Sequence, residues 1–193
     1  MSLEGLPSSD FERSMVFLNG LWELSSWVFH KGMLFLSTIA WWKHGPRQRP
    51  HEGLDICFFR DKEGHLKSLP TKTIVPSPYD GMVVSLIPDF IGHSVFATLE
   101  IEKGQKLLWA LGHIIPRPGL KKGTRVRGGE PVGTIAQVKK EGSRPKAHLH
   151  VSIAEYRSPL NLSLNWDLMG QDSSIHLLDP LPLLIRGPWE LIP

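Results

Sequence analysis

The chain has a single cysteine, Cys57, among its 193 residues. An internal disulfide is therefore excluded, and a domain of this size can bury a full core without one. Cys57 reads as a small buried hydrophobe. Long apolar runs are also lacking. The longest, GMLFLSTIAWW, is too short to span a bilayer, so no stable membrane insertion is expected. The opening residues show no basic stretch followed by a long apolar segment, and no signal peptide is visible. Arg and Lys form no tract interleaved with aromatics, which argues against nucleic acid as a partner. The net charge of +3 adds only a weak preference for polyanions. No repeat of solenoid period is present.

Glycine (18) and proline (16) are plentiful and are spread between short apolar runs. Many short strands with Gly and Pro turns predict an all-β sandwich or barrel. Three parts can be drawn. Residues 1–46 are rich in aromatics, with Trp22, Trp27, Trp41 and Trp42, and begin with a helix capped by Ser9 or Asp10. This segment is expected to pack across the core. Residues 47–157 are strand and turn material. GLDICFFR reads as a strand, DKEGH as a hairpin turn, and SVFATLEIEKGQKLLWALGHI as two strands joined at EKGQ. Residues 158–193 are rich in Pro and Leu and read as an irregular tail over the sheet.

Two short stretches carry chemistry. In AHLHVSI, His148 and His150 are two apart, so in a strand both project to one face while Leu149 turns to the core. In PHEGLDICFF, His51, Gly53 and Asp55 share a face if the chain is extended, and the central glycine leaves nothing between imidazole and carboxylate. Cys57 has the same parity and could face that side. Zinc takes nitrogen and oxygen ligands, and a catalytic site uses three of them. His51, Asp55 and one of the paired histidines would supply such a set. The other histidine would be free to act as base or hydrogen-bond donor, and His113 in WALGHI is a further candidate. His30, His44, His65, His93 and His176 read as ordinary satisfied or surface residues.

RPHEGLDI resembles the His-x-Gly-x-Asp signature of the lysostaphin-type (LytM-like) zinc metallopeptidases, and AHLHVSI resembles their HLH signature. VPSPYDGMVVSL and LKKGTRVRGGEPVGTI are similar to two glycine-valine stretches of that family, in the same order. The likeness runs from about residue 40 to 157, with LLDP resembling the closing segment. It implies an antiparallel β core of the duplicated hybrid (barrel-sandwich) type. It also implies that His51, Asp55 and His150 hold Zn2+ and that His113 and His148 are the catalytic histidines. The implied reaction is endopeptidic hydrolysis of bacterial cell-wall peptidoglycan, in the periplasm or outside the cell. The chain departs from the pattern at Leu111, where the family has an aromatic, at PKA before HLH, and at Val151.

Rival readings exist. A cupin would use Gly142, His148, His150 and Glu155, but Leu162 stands where its next glycine belongs, and His51 and Asp55 go unexplained. Lipoyl-type carriers need a lysine at a hairpin tip, and GMVV has none. A non-catalytic metal-binding regulator of the same fold is the third alternative, and against it stand all five expected side chains. The oligomeric state is not indicated.

Overall fold

The computed structural model describes residues 6–43, 45–70, 72–102, 104–138, 146–157 and 164–193. Helix α1 (Phe11–Asn19) begins after Asp10, as the capping pattern predicts, although it is the Ser9 hydroxyl that accepts the Phe11 amide at 3.1 Å. Gly20 ends the helix in the left-handed conformation, φ 61°. Asn19 then clamps the helix end to the backbone of Ile74, donating to its carbonyl and accepting from its amide.

The strands in chain order are β1 (Leu24–His30), β2 (Leu54–Ile56), β3 (Phe58–Asp61), β4 (Leu66–Ser68), β5 (Ile74–Pro76), β6 (Gly81–Pro88) and β7 (His93–Glu102). Then come β8 (Gln105–Pro116), β9 (Arg125–Val126), β10 (Pro131–Ile135) and β11 (Leu149–Arg157). The C-terminal part adds α2 (Trp166–Gln171), β12 (Ile175–Leu178), α3 (Pro180–Leu184) and β13 (Trp189–Ile192). Residues 158–163, at the head of the expected tail, lie outside the described residues. The remainder of that tail is built of these short elements.

The main sheet runs β12-β11-β8-β7-β6-β9, with β10 pairing β5 and β8, and β2 pairing β11. A second sheet runs β13-β1-β3-β4. The fold is thus mainly β and antiparallel, as expected, with the β1–β13 pair parallel. GLDICFFR is two strands rather than one. β2 pairs with β11, whereas β3 pairs with β1 and β4, and the chain changes partner at Cys57.

Strand β8 is buried on both faces, which explains its unbroken apolar run. Leu107, Trp109 and Leu111 face the larger core, together with Trp27, Phe29 and Met33 from the N-terminal part. Leu108 and Ala110 face a smaller core closed by Met169 of α2 and by Ile175. Among the described residues no helix is long and apolar enough to cross a membrane.

Both ends of the chain meet at Glu12. Its carboxylate accepts Trp27 Nε1 at 2.8 Å and the backbone amides of Arg186 and Gly187 at 2.7 and 2.9 Å. A Cβ at Gly187 would stand 2.7 Å from Glu12 Oε1, so a larger residue there would make the Glu12 carboxylate shift. Glu12→Ala leaves three donors without their partner, and urea unfolding should show a loss of about 2 kcal/mol. Glu12→Gln keeps acceptor oxygen in place and should lose less.

Candidate metal centre

Four extended residues would separate His51 from Asp55 by about 13 Å, too far to share an ion. The chain does not stay extended. It bends at Gly53, strand begins only at Leu54, and His51 Nε2 lies 3.2 Å from Asp55 Oδ1. The bend fits because Gly53 has no side chain: a Cβ there would come within 2.2 Å of Val151 O and 2.9 Å of His150 Nε2. The sequence pattern therefore brings the two residues together, but through a turn rather than through strand parity.

The strand register brings in the rest. β11 pairs with β2 and β8 so that His150 stands opposite Asp55 on one side and Gly112 on the other. Residues directly opposite in antiparallel strands share a face. His150 Nδ1 is 2.9 Å from Asp55 Oδ1 and 3.1 Å from His51 Nε2. Leu149 is fully buried in the core, as its alternation predicts. Cys57 is also buried and directs its thiol to Ala147 O, away from this cluster. Burial and the Lys146 ammonium act on that thiol in opposite senses, burial prevails, and its pKa is pushed up to about 12.

Outer partners fix which atoms face inward. His51 Nδ1–H donates to Leu34 O at 3.0 Å, which leaves Nε2 bare. Ser152 Oγ, 3.0 Å from His150 Nε2, can accept from it and leave Nδ1 bare. Asp55 Oδ2 accepts Trp41 Nε1 at 2.7 Å and Arg47 Nη2 at 3.4 Å, so Oδ1 alone points inward. Burial by itself would raise the Asp55 carboxyl, but the surrounding His51, His148 and His150 rings outweigh it and hold the group well below the usual carboxylate range. Burial lowers His150 despite Asp55.

In these tautomers three acceptors converge within 3.2 Å of one another. Such a set could hold a cation. Zinc with tetrahedral bonds of about 2.0–2.1 Å holds its ligands roughly 3.3 Å apart, so the donor set and its spacing fit this metal. Ligand imidazoles whose second nitrogen is hydrogen-bonded are the usual surroundings of such an ion.

His148 and His113 stand beside the cluster. His148 Nδ1–H donates to Lys146 O at 2.7 Å, and Nε2 lies 3.7 Å from Asp55 Oδ1. Burial pushes this ring down to about 4, against the opposing pull of Asp55. The His113 ring is packed against His148 at 4.7 Å between centroids and against Phe90 at 4.5 Å. One cavity of about 360 Å³ is lined by His51, Asp55, His113, His148 and His150 together. A larger hollow of about 810 Å³ beside β6 and β9 is lined by Arg125, Arg127, Glu100 and Glu130 without any histidine, so volume alone would have misplaced the site.

Four further residues frame the cluster: Trp41, Arg47, Asp89 and Trp166, the last three lining the cavity. The first two hold Asp55. Asp89 Oδ2 accepts the His113 amide at 2.8 Å, and Trp166 packs edge-on against His150 with 4.8 Å between rings. Burial would raise the Asp89 carboxyl, but the neighbouring His113 ring and the amides of Gly92 and His113 hold it far below its ordinary value. No spacing in the sequence points to any of the four.

The other histidines stay away from the cluster. His65 bonds Asp61 on the β3–β4 hairpin and is exposed, and His30 packs edge-on to Phe58. His93 and His176 are partly or fully exposed. His44, like Gly142 of the cupin reading, lies outside the described residues. Asp61, Glu63 and His65 form a second cluster, but Lys67 Nζ stands 3.4 Å from Asp61 Oδ2 and already neutralises it.

No family model matches the chain, and no curated protein matches it closely enough to stand as a relative. Among solved structures it is similar to a mutant catalytic domain of the prophage-encoded M23 protein EnpA from Enterococcus faecalis. The two are 23% identical, the match covers 73% of this chain and 95% of that one, and the TM-score is 0.39. It is similar to a peptidase described as a putative M23 member from Pseudomonas aeruginosa (18% identity, 90% and 60% covered, TM-score 0.42). It is also similar to the antimicrobial peptidase lysostaphin from Staphylococcus simulans (14% identity, 83% and 53% covered, TM-score 0.41). The chain spans little more than half the length of the last two. Likeness this loose does not place one site on another, and the chemistry rests on the residues themselves.

The purified chain should hold about one zinc ion by elemental analysis. His150→Ala should lose it, and full retention would refute this ligand set. Gly53→Ala should also lose it, because the new Cβ pushes His150 and Val151 out of register, while circular dichroism still shows a β fold.

Proposed function

We propose that the chain is a zinc metalloendopeptidase that hydrolyses peptide bonds of bacterial cell-wall peptidoglycan. One observation carries this reading: bare His51 Nε2, Asp55 Oδ1 and His150 Nδ1 face one another while His113 and His148 border the same cavity. Such a site has three ligands for a metal and two further imidazoles for protons. The order of the motifs, His-x-Gly-x-Asp before HLH, supports the choice of substrate.

When bound, zinc would supply Lewis acidity, polarising a carbonyl and bringing the pKa of water towards neutrality. The rest falls to the chain. Asp55, fixed by Trp41 and Arg47, would keep one oxygen for the ion. His148, its Nδ1 proton committed to Lys146 O, offers Nε2 on the cavity side. Between them His113 and His148 would take the proton from water and return one to the leaving amine, a contribution of about 10²- to 10⁴-fold for a positioned acid or base. An elongated substrate has room. A hollow of about 770 Å³ shares Asp89 and Phe90 with the cavity and continues past exposed Ile115. A reaction on wall peptide would place the protein in the periplasm or outside the cell.

The test is to incubate the zinc-loaded chain with purified peptidoglycan of known cross-links and identify the fragments by mass. New termini at peptide bonds are expected. An intact substrate after incubation with folded, zinc-loaded protein would overturn the reading. His113→Ala should keep its zinc and lose at least about 10²-fold in turnover. Loss of the ion instead would mean that His113 is a ligand.

A further inference from the structure

We propose that Asp89 is the positioning residue for His113, and that Trp166 of the C-terminal part sets Asp89 through Ser94. The inference rests on the reading of His113 as a proton-handling group. Asp89 lies in the β6–β7 turn with its side chain 5% exposed. Its Oδ1 accepts the amides of Ile91 and Gly92 at 2.9 and 2.6 Å, which fixes the carboxylate in place. Its Oδ2 accepts the Ser94 hydroxyl at 2.7 Å and the His113 amide at 2.8 Å, and lies 3.2 Å from His113 Nδ1. That last contact is an ion-pair distance rather than a straight hydrogen bond, so His113 Nδ1 has no aligned partner in the resting site. A small rotation of the ring would align it.

The backbone has been bent to make this contact. Between His93↔Ile114 and Val95↔Leu111, β7 has one residue and β8 has two, a bulge at Gly112 and His113. His113 adopts φ 64°, a left-handed conformation that a residue with a Cβ rarely takes. A bulge re-aims a side chain, and here it puts the amide and Nδ1 of one residue on the same carboxylate oxygen.

The consequence is a choice of tautomer. A carboxylate beside Nδ1 keeps the ring proton there and leaves Nε2 bare to accept another. When Nε2 is protonated, the cation faces a fixed negative charge. The partner of His148 Nδ1 is a neutral carbonyl, so of the two rings it is His113 whose Nδ1 is set against a carboxylate.

Trp166 completes the line. Its Nε1 donates to Ser94 Oγ at 2.8 Å, so the hydroxyl's own proton turns to Asp89. The indole reaches this point because residue 112 is glycine, where a Cβ would stand 3.1 Å from Trp166 Cζ2.

The test is the imidazole tautomer, read by long-range 1H–15N correlation on labelled protein with and without zinc. In the natural chain His113 should carry its proton on Nδ1. In Asp89→Asn the proton should move to Nε2, and turnover on peptidoglycan should fall about tenfold to a hundredfold with zinc content unchanged. An unaltered tautomer with unaltered turnover would overturn the proposal. Trp166→Phe keeps the ring contacts and removes only the N–H. It should shift the His113 nitrogen signals and lower turnover a few-fold, and no change in either would remove Trp166 from the line. It also serves where Asp89→Asn does not fold. A natural chain that cleaves no peptidoglycan yet shows the Nδ1 tautomer, lost in Asp89→Asn, would sink the proposed function and leave the positioning role standing.

Discussion

Three hydrogen-bond acceptors aimed at one another, one of them a buried carboxylate, form an arrangement that the surrounding protein must force. Left alone, bare nitrogens and a carboxylate repel, and each would turn to a donor. Here the alternatives are taken away. Leu34 O claims one proton of His51, Ser152 can claim one of His150, and Trp41 with Arg47 occupies the outer oxygen of Asp55. A bound cation would relieve the repulsion, and part of its binding energy would then also be folding energy for these loops. The dependence runs both ways, because the loops supply the partners that keep the ligands bare.

This explains where the two ends of the chain sit. The N-terminal part delivers Leu34, Trp41 and Arg47 to His51 and Asp55, and Arg47 is further held by Gly32 O and by the face of Trp42. The C-terminal part delivers Trp166 against His150 and closes the second face of β8. Glu12 ties both ends to one carboxylate. The peripheral segments thus supply most of the outer partners of the cluster, and Ser152 of β11 adds one from the central sheet.

How much of this was legible in the sequence depends on how far apart the interacting residues are. The HLH pair was legible because strand alternation is local, and His148 and His150 do border one cavity. The β7–β8 hairpin was legible from EKGQ between two apolar runs. The pairing of His51 with Asp55 was legible as a motif, but its geometric reason was not, since extended parity would have kept them apart and the bend at Gly53 is dictated by contact with β11. The split of GLDICFFR was hidden because a change of sheet leaves no mark when both halves are apolar. Asp89, Arg47, Trp41 and Trp166 were hidden for a different reason. Each reaches the cluster through contacts that tertiary folding creates, and no periodicity encodes those.

Backbone strain gives a second view of the same design. Three non-glycine residues among those described have positive φ: Leu36, Lys72 and His113. Each such residue costs of order 1–2 kcal/mol and persists only where its surroundings over-determine it. Leu36 donates its amide to His51 O at 2.8 Å, and the His51 amide returns to Ser37 O at 2.9 Å, so this turn is held by the residue it helps to place. His113 is anchored by Asp89 at its amide and by Ala136 N at its carbonyl. Two of the three strained positions are therefore tied to residues of the cavity, one behind a proposed ligand and the other at a proposed proton carrier. Relaxing either would free about as much energy as a hydrogen bond is worth, yet would turn an imidazole away from the point where the acceptors meet. Strain retained at such places, against a sequence free to relieve it elsewhere, is best accounted for by chemistry done there.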